Sequence, residues 1–350
     1  MDTIETKIRL TSFSHGSGCG CKIEPAVLEQ ILSGGSSKQK FSQLVAGYET
    51  KDDAAVWDLG SDQYLLSTTD FFTPIVDDAF DFGRISATNA LSDIYAMGGK
   101  PVFALAILGF PVGKLPVEIA QKIIAGALSV CESAGIPLAG GHSIDIPEPV
   151  FGLSVNGMVE KNKLRKNNTA IKDDLLFLTK PIGIGIMATA LKREKISESD
   201  LVKVTEIMCR LNRVGEKLAA LAGVHAMTDV TGFGLLGHLI ELCEGSDLSA
   251  VINYKNVPLI EGIEKYTDQF IFPDNTYRNW NAYEKKVKGI KGPEFITFCD
   301  PQTSGGLLFA AGKESEKEVS ELLREEGLAD FVKPIGILIQ KAEAVVEVVE

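Results

Sequence analysis

Apolar positions recur along the chain with two periods, one close to 3.6 residues and one close to 2, and the two alternate. Residues 25–32 place Val27, Leu28, Ile31 and Leu32 at helical spacing, with Pro25 near the first turn and Gly34-Gly35 beyond the end. Strand-like runs follow at 54–59, 64–70 and 101–109. Between the last two, residues 82–97 offer Ile85, Leu91, Ile94 and Tyr95 to one face of a helix. Residues 116–134 predict a second amphipathic helix, closed by Gly135 and Pro137. A short strand then leads into a glycine turn at Gly140-Gly141-His142-Ser143, and 150–159 reads as a further strand.

The charged stretch 160–168 carries no apolar period and marks a boundary. It separates a lid and short helix (1–46) and a first domain (47–160) from a second domain (169–350). In the second half the pattern predicts a strand at 174–180, a glycine-rich turn at 181–185, a helix at 186–192 and a long helix at about 200–222. Residues 224–227 lead to Thr228-Asp229-Val230-Thr231-Gly232-Phe233-Gly234, which opens a helix through Leu242. Then come a strand at 250–253, a helix at 258–267, a strand at 304–311, a helix at 313–326 and two terminal strands. The polar and aromatic segment 273–292 reads as an excursion over the surface, and the Gly/Ser-rich stretch 33–40 as a linker.

Composition narrows the class of protein. With 350 residues, 45% of them hydrophobic, the chain can fill two cores. A net charge of −12 argues against general nucleic-acid binding, and any polyphosphate bound here would need metal ions. The longest apolar run, 102–108, is far short of the roughly 18 residues of a membrane span, and residues 1–10 lack the pattern of a signal peptide. Six cysteines, scattered apart from Cys19 and Cys21, suit a reducing cytoplasm.

The candidate chemistry starts at His15-Gly16-Ser17-Gly18-Cys19-Gly20-Cys21-Lys22. Glycine at alternate positions and no apolar anchor predict a mobile loop, a lid in which Lys22 favours a thiolate on Cys19 or Cys21. The Cys-x-Cys spacing is too close for a complete zinc site. Asp53, Asp70, Asp93 and Asp229 each stand at the edge of an apolar element. Carboxylates converging from separate elements are what a nucleotide-metal site requires, although any one of them also suits a cap or turn. His142 reads as either a base or a structural hydrogen-bonder, and His225 and His238 as helix-packing or surface residues. No P-loop or dinucleotide fingerprint is present.

These motifs, with Asp52-Asp53-Ala54-Ala55-Val56, Thr68-Thr69-Asp70-Phe71, Asn89-Ala90-Leu91-Ser92-Asp93 and Asp300-Pro301-Gln302-Thr303-Ser304-Gly305-Gly306, closely resemble the selenophosphate synthetase (selenide, water dikinase) family. The resemblance covers nearly the whole chain. The aspartate and glycine motifs are shared with the wider aminoimidazole ribonucleotide synthetase-like superfamily, whereas the Cys-Gly-Cys-Lys loop is specific to the selenium family. The resemblance implies a two-domain α/β and α+β fold with mixed sheets, whose N-terminal domains pair into a dimer β-barrel. It implies a cytoplasmic homodimeric enzyme that converts ATP, selenide and water to selenophosphate, AMP and phosphate, with no nucleic acid or membrane partner. It makes Cys19 and Lys22 the catalytic pair and Asp53, Asp93 and Asp229 the Mg²⁺ ligands. ATP contacts fall on Lys22, Thr50, Lys51, Asp52, Asp70, Asp93, Gly141, His142 and Ser143. Cys19 is expected to hold or hand over selenium, either free or brought by a selenium-delivering enzyme. The alternatives are a small-metabolite kinase that releases ADP and a non-catalytic selenium or metal carrier.

Overall fold

A computed structural model describes residues 8–23, 27–28, 30–31, 41–47 and 51–350. Thr50, the linker at 33–40 and part of the helix expected at 25–32 lie outside them, and Val27, Leu28, Gln30 and Ile31 are helical.

The first half builds a six-stranded sheet from β1 (Leu44–Ala46), β2 (Ala55–Asp58), β3 (Gln63–Phe72), β4 (Lys100–Phe110), β5 (Leu138–Asp145) and β6 (Val150–Glu160), in the order β1-β2-β3-β6-β4-β5. All neighbours are antiparallel except β4 and β5, which run parallel because a helix crosses over between them. Two 18-residue helices, α1 (Ala79–Ala96) and α2 (Val117–Ala134), cover one face. The Asp78 side chain caps α1 by accepting from the Asp81 amide, and Gly135, left-handed at φ 75°, ends α2 as its sequence position predicts. The helices meet through paired glycines. A Cβ at Gly83 would lie 1.9 Å from the Ile123 carbonyl oxygen, and one at Gly126 would lie 2.0 Å from that of Phe80.

The second half begins with β7 (Leu175–Leu178), α3 (Ile184–Lys192), α4 (Glu198–Cys209), α5 (Val214–Leu218), β8 (Val224–Asp229), α6 (Gly234–Gly245) and β9 (Leu248–Asn253). It continues with α7 (Asp274–Tyr283), β10 (Val287–Lys288), β11 (Leu307–Ala311), α8 (Glu316–Glu325), β12 (Gly336–Gln340) and β13 (Val346–Val349). Its seven-stranded sheet has the order β10-β13-β9-β12-β7-β11-β8. α1, buried along almost its whole length, lies between the halves, against β3, β6 and α2 on the first and α4, α5 and β8 on the second.

Several expectations are corrected. The long helix at 200–222 is two helices, because the chain is extended at Arg210 and Asn212 reaches Ser92 Oγ and the Gly305 carbonyl, each at 2.8 Å. The helix expected at 258–267 is only the turn Glu264–Thr267, and the strand expected at 304–311 starts at Leu307. The turn expected at Gly140-Gly141-His142-Ser143 is the middle of β5. A register shift opposite Ala104/Ala106 is absorbed there by Gly140 and Gly141, and a Cβ at Gly141 would come within 2.1 Å of the Ala106 carbonyl oxygen. The surface excursion at 273–292 contains α7, which buries Thr276, Asn279 and Tyr283.

Candidate active site

The glycine-rich loop is docked rather than loose. Gly18 takes φ 52° and donates its amide to the Thr73 carbonyl at 3.1 Å, in a space where a Cβ would sit 2.5 Å from Ile75 and Thr303. Cys19 opens a short 3-10 turn, Cys19–Cys21, and is only 1% exposed. Its amide donates to Thr303 Oγ1 at 2.9 Å, and its Sγ lies 3.5 Å from Asn89 Oδ1. Three successive carbonyls, those of Ser14, His15 and Gly16, accept from Lys192 Nζ at 2.9 Å each. Asn275 of α7 donates to the Gly20 carbonyl, so the segment predicted to wander over the surface instead clasps the loop. Most of these ties engage the loop through its own backbone amides and carbonyls, which leaves no residue-type signal in the sequence.

Docking carries Lys22 across Gly232, where a Cβ would lie 3.0 Å from Lys22 Cδ, and into an acidic cavity of about 340 Å³. That cavity is also lined by Lys51, Asp52, Asp53, Thr68, Thr69, Asp70, Asp93 and Asp229. The ammonium of Lys22 is held charged chiefly by Asp70, against the cost of burial and with further support from Cys19, Asp93 and Asp229. Asp53, Asp93 and Asp229, from the approach to β2, from α1 and from the end of β8, each bring a carboxylate oxygen within 4.8 Å of the others. Burial raises all three carboxyls, helped at Asp53 and Asp93 by repulsion from Asp229, while Asp229, with Ser92, Lys22 and Lys180 opposing burial and Asp70 repelling it, is raised to about 6. Thr228 Oγ1 donates to Asp53 at 2.8 Å and Thr68 Oγ1 to Asp93, yet Asp53 Oδ2 and Asp229 Oδ2 are buried with no hydrogen-bond partner. Clustered, desolvated, acceptor-only oxygens fit a hard divalent cation.

Asp70 accepts from Asn89 Nδ2, whose Oδ1 in turn accepts from the Ser304 amide at 2.6 Å. Asn89 therefore links the loop cysteine, the 300–306 turn and the cavity, a role the sequence reading did not assign. Asp52 accepts from the Asn167 amide at 3.1 Å. Leu28, Thr231, Phe233, His238 and Glu241 complete the lining. His238, which the sequence suggests is a packing or surface residue, thus lines the cavity. His225 lies on a strand rather than a helix, with Nδ1 2.9 Å from Asp174.

Gly141, His142 and Ser143 are exposed on the edge strand β5 and do not line this cavity. His142 pairs with Ile107 and shares the sheet face of Leu105 and Phe71, whereas Thr68 and Asp70 point to the opposite face, toward α1.

Among known proteins, residues 51–159 match the AIR synthase related protein N-terminal domain, and residues 172–349 match the C-terminal domain of the same family. Solved structures with the same fold include AaThiL complexed with AMPPCP and TMP (TM-score 0.67, 18% identity, covering 92% of each chain). A HypE–HypF complex is also similar (TM-score 0.69, 17% identity, 93% of this chain and 96% of that one). Curated relatives are far closer in sequence. A selenide, water dikinase of Pasteurella multocida is 52% identical over 330 residues, 94% of each chain, and one of Pseudomonas aeruginosa is 52% identical over 341 residues, 97% of this chain and 98% of that one. Identity at this level across both domains, over a cavity that joins the cysteine-lysine loop to three convergent aspartates, makes the chain a member of the selenide, water dikinase family.

Proposed function

We propose that this chain is a selenide, water dikinase that makes selenophosphate, AMP and phosphate from ATP, selenide and water. The observation that carries the reading is the docked loop, which puts Lys22 into the aspartate cavity and Cys19 directly behind it. Asp53, Asp93 and Asp229 would hold Mg²⁺, for which the two partnerless buried oxygens are suited. Mg²⁺ bound there supplies charge neutralisation on the phosphates of ATP.

The chain's own residues do the positioning. Lys22, fixed as a cation by Asp70, places positive charge where a transferred phosphoryl group gains negative charge. Asn89 orients Asp70 and faces the Cys19 sulfur, so the residue that would hold or hand over selenium is tied to the nucleotide side of the cavity. Lys51 and Asp52 line the same wall and are in reach of a nucleotide. Gly141, His142 and Ser143 can touch that nucleotide only if a second copy of the chain presents them, which fits a homodimer joined through the first sheet. No described helix is long and apolar enough to cross a membrane, and the buried thiols of Cys131, Cys243 and Cys299 suit the cytoplasm.

Anaerobic phosphorus NMR of the protein with ATP, Mg²⁺ and selenide tests the reading. Selenophosphate and AMP are expected in equal amounts. ADP as the stable product without a phosphorus-selenium species would assign the chain to the metabolite-kinase branch instead.

A further inference from the structure

One wall of the cavity has no task in the reading above. After β8 the chain turns through Thr231 and Phe233 into α6, and His238 and Glu241, three residues apart on that helix, border the same space. His238 Nε2 lies 3.2 Å from Thr231 Oγ1, and His238 Nδ1 lies 3.5 Å from a Glu241 carboxylate oxygen. The ring is 8% exposed and packs on Phe233 at 5.7 Å. Burial pushes the imidazole down to about 3, so it is neutral and carries one N–H. With that proton on Nδ1, Nε2 accepts from the Thr231 hydroxyl. The ring is thereby fixed with its N–H on the nitrogen that lies 3.5 Å from the Glu241 carboxylate.

We propose that Glu241 is the general base of the hydrolytic half-reaction, with His238 and Thr231 as positioning residues. The inference rests on the dikinase reading. Removal of the terminal phosphoryl group by selenide leaves ADP, and the second step is attack of water on the β-phosphorus. One O–H bond of water breaks and its proton passes to the Glu241 carboxylate while the oxygen bonds to phosphorus. The bond from the β-phosphorus to the bridging oxygen breaks, and its electron pair leaves with AMP. Glu241 then returns the proton to solvent.

Asp53, Asp93 and Asp229 form the metal cluster, and Asp70 is engaged by Asn89 and Lys22. Asp52 is anchored at one oxygen by the Asn167 amide and keeps the other buried without a partner, but no cavity histidine lies against it as His238 lies against Glu241. Burial raises the Glu241 carboxyl to about 7 against the pull of Lys51 and Lys22, which suits proton uptake near neutrality.

Single-turnover quench with ATP, Mg²⁺ and selenide, following selenophosphate, ADP and AMP separately, tests this on Glu241→Gln. Selenophosphate should form at the parent rate while AMP formation falls by about 10²–10⁴-fold and ADP accumulates. His238→Gln should slow the same step less and spare the first. Parallel loss of both steps, or an unchanged AMP step, would overturn the assignment. If Glu241→Gln does not fold, the parent protein in D₂O decides: AMP formation should slow while selenophosphate formation does not, and equal behaviour of the two steps defeats the proposal. A parent protein that makes no selenophosphate would instead sink the dikinase reading.

Discussion

Asp229 is 2% exposed, keeps one carboxylate oxygen without a partner and stands beside two more carboxylates, so its charge is held against both desolvation and repulsion. The consequence for stability has a definite sign. Its folded carboxyl is raised from 3.8 to about 6, so the folded chain holds that proton more tightly than the unfolded one. The contribution is fully present below pH 3.8 and is lost as pH rises to about 6. Without divalent ions, Asp229→Asn should therefore be more stable than the parent at pH 7.5, by on the order of 3 kcal/mol, and melt higher. The gap should close toward pH 4. Adding Mg²⁺ at pH 7.5 should raise the melting temperature of the parent more than that of the variant. A melting difference independent of pH from 4 to 8, read by calorimetry, would refute the account. Lys22 is the complementary case, since Asp70 and its neighbours hold its ammonium charged. Lys22→Met should lower kcat by about 10²–10³-fold, the loss typical of removing one preorganised charge-stabilising group, while leaving the fold intact by circular dichroism.

At the scale of elements, α1 is the pivot: it carries Asn89 and Asp93 into the cavity and is gripped by α2 through the Gly83 and Gly126 contacts. A side chain at either glycine meets a backbone carbonyl, which cannot move aside as a flexible side chain can. Gly126→Val should cost about 3 kcal/mol or more in urea unfolding. A cost below 1 kcal/mol would mean that the two helices are not locked in this way. Local periodicity made α1 and α2 legible in the sequence, together with the Gly135 stop, because their apolar stripes and caps are intrinsic to the segment. It could not show the break before α5, since Val204, Met208, Leu211, Val214 and Leu218 continue a helical stripe straight through it. The break exists for Asn212 to reach Ser92 and Gly305, and for Gly215, whose Cβ would lie 2.3 Å from the Tyr95 carbonyl oxygen, to approach α1. Such contacts are tertiary and leave no local signature. The same holds for the cavity: motif resemblance pointed to Asp53, Asp93 and Asp229, but Asn89, Thr231, His238 and Glu241 become site residues only when α1 and α6 fold beside them.

At the scale of the whole molecule, helices cover one face of the first sheet, and among the described residues none covers the other. Trp57, Phe71, Leu105 and Ile144 share the bare face by strand register, and each is more than a third exposed. β5 adds an outer edge whose residues from Ala139 to Asp145 are exposed. An apolar face continuous with a free strand edge favours a second copy of the chain over water. His142 stands on that face, turned away from Thr68 and Asp70, so pairing would bury the apolar side chains and take His142 into the interface. Sedimentation equilibrium should therefore give twice the chain mass at micromolar concentration. Leu105→Asp with Ile144→Lys should shift the protein to the chain mass while leaving its circular dichroism unchanged. In that monomer Asp53, Asp93 and Asp229 remain assembled within one chain, so divalent-ion stabilisation should persist while ATP turnover falls. Full turnover in a protein that sediments as a monomer would show that the aspartate cavity works without a second copy, and that the edge-strand residues take no part in holding ATP.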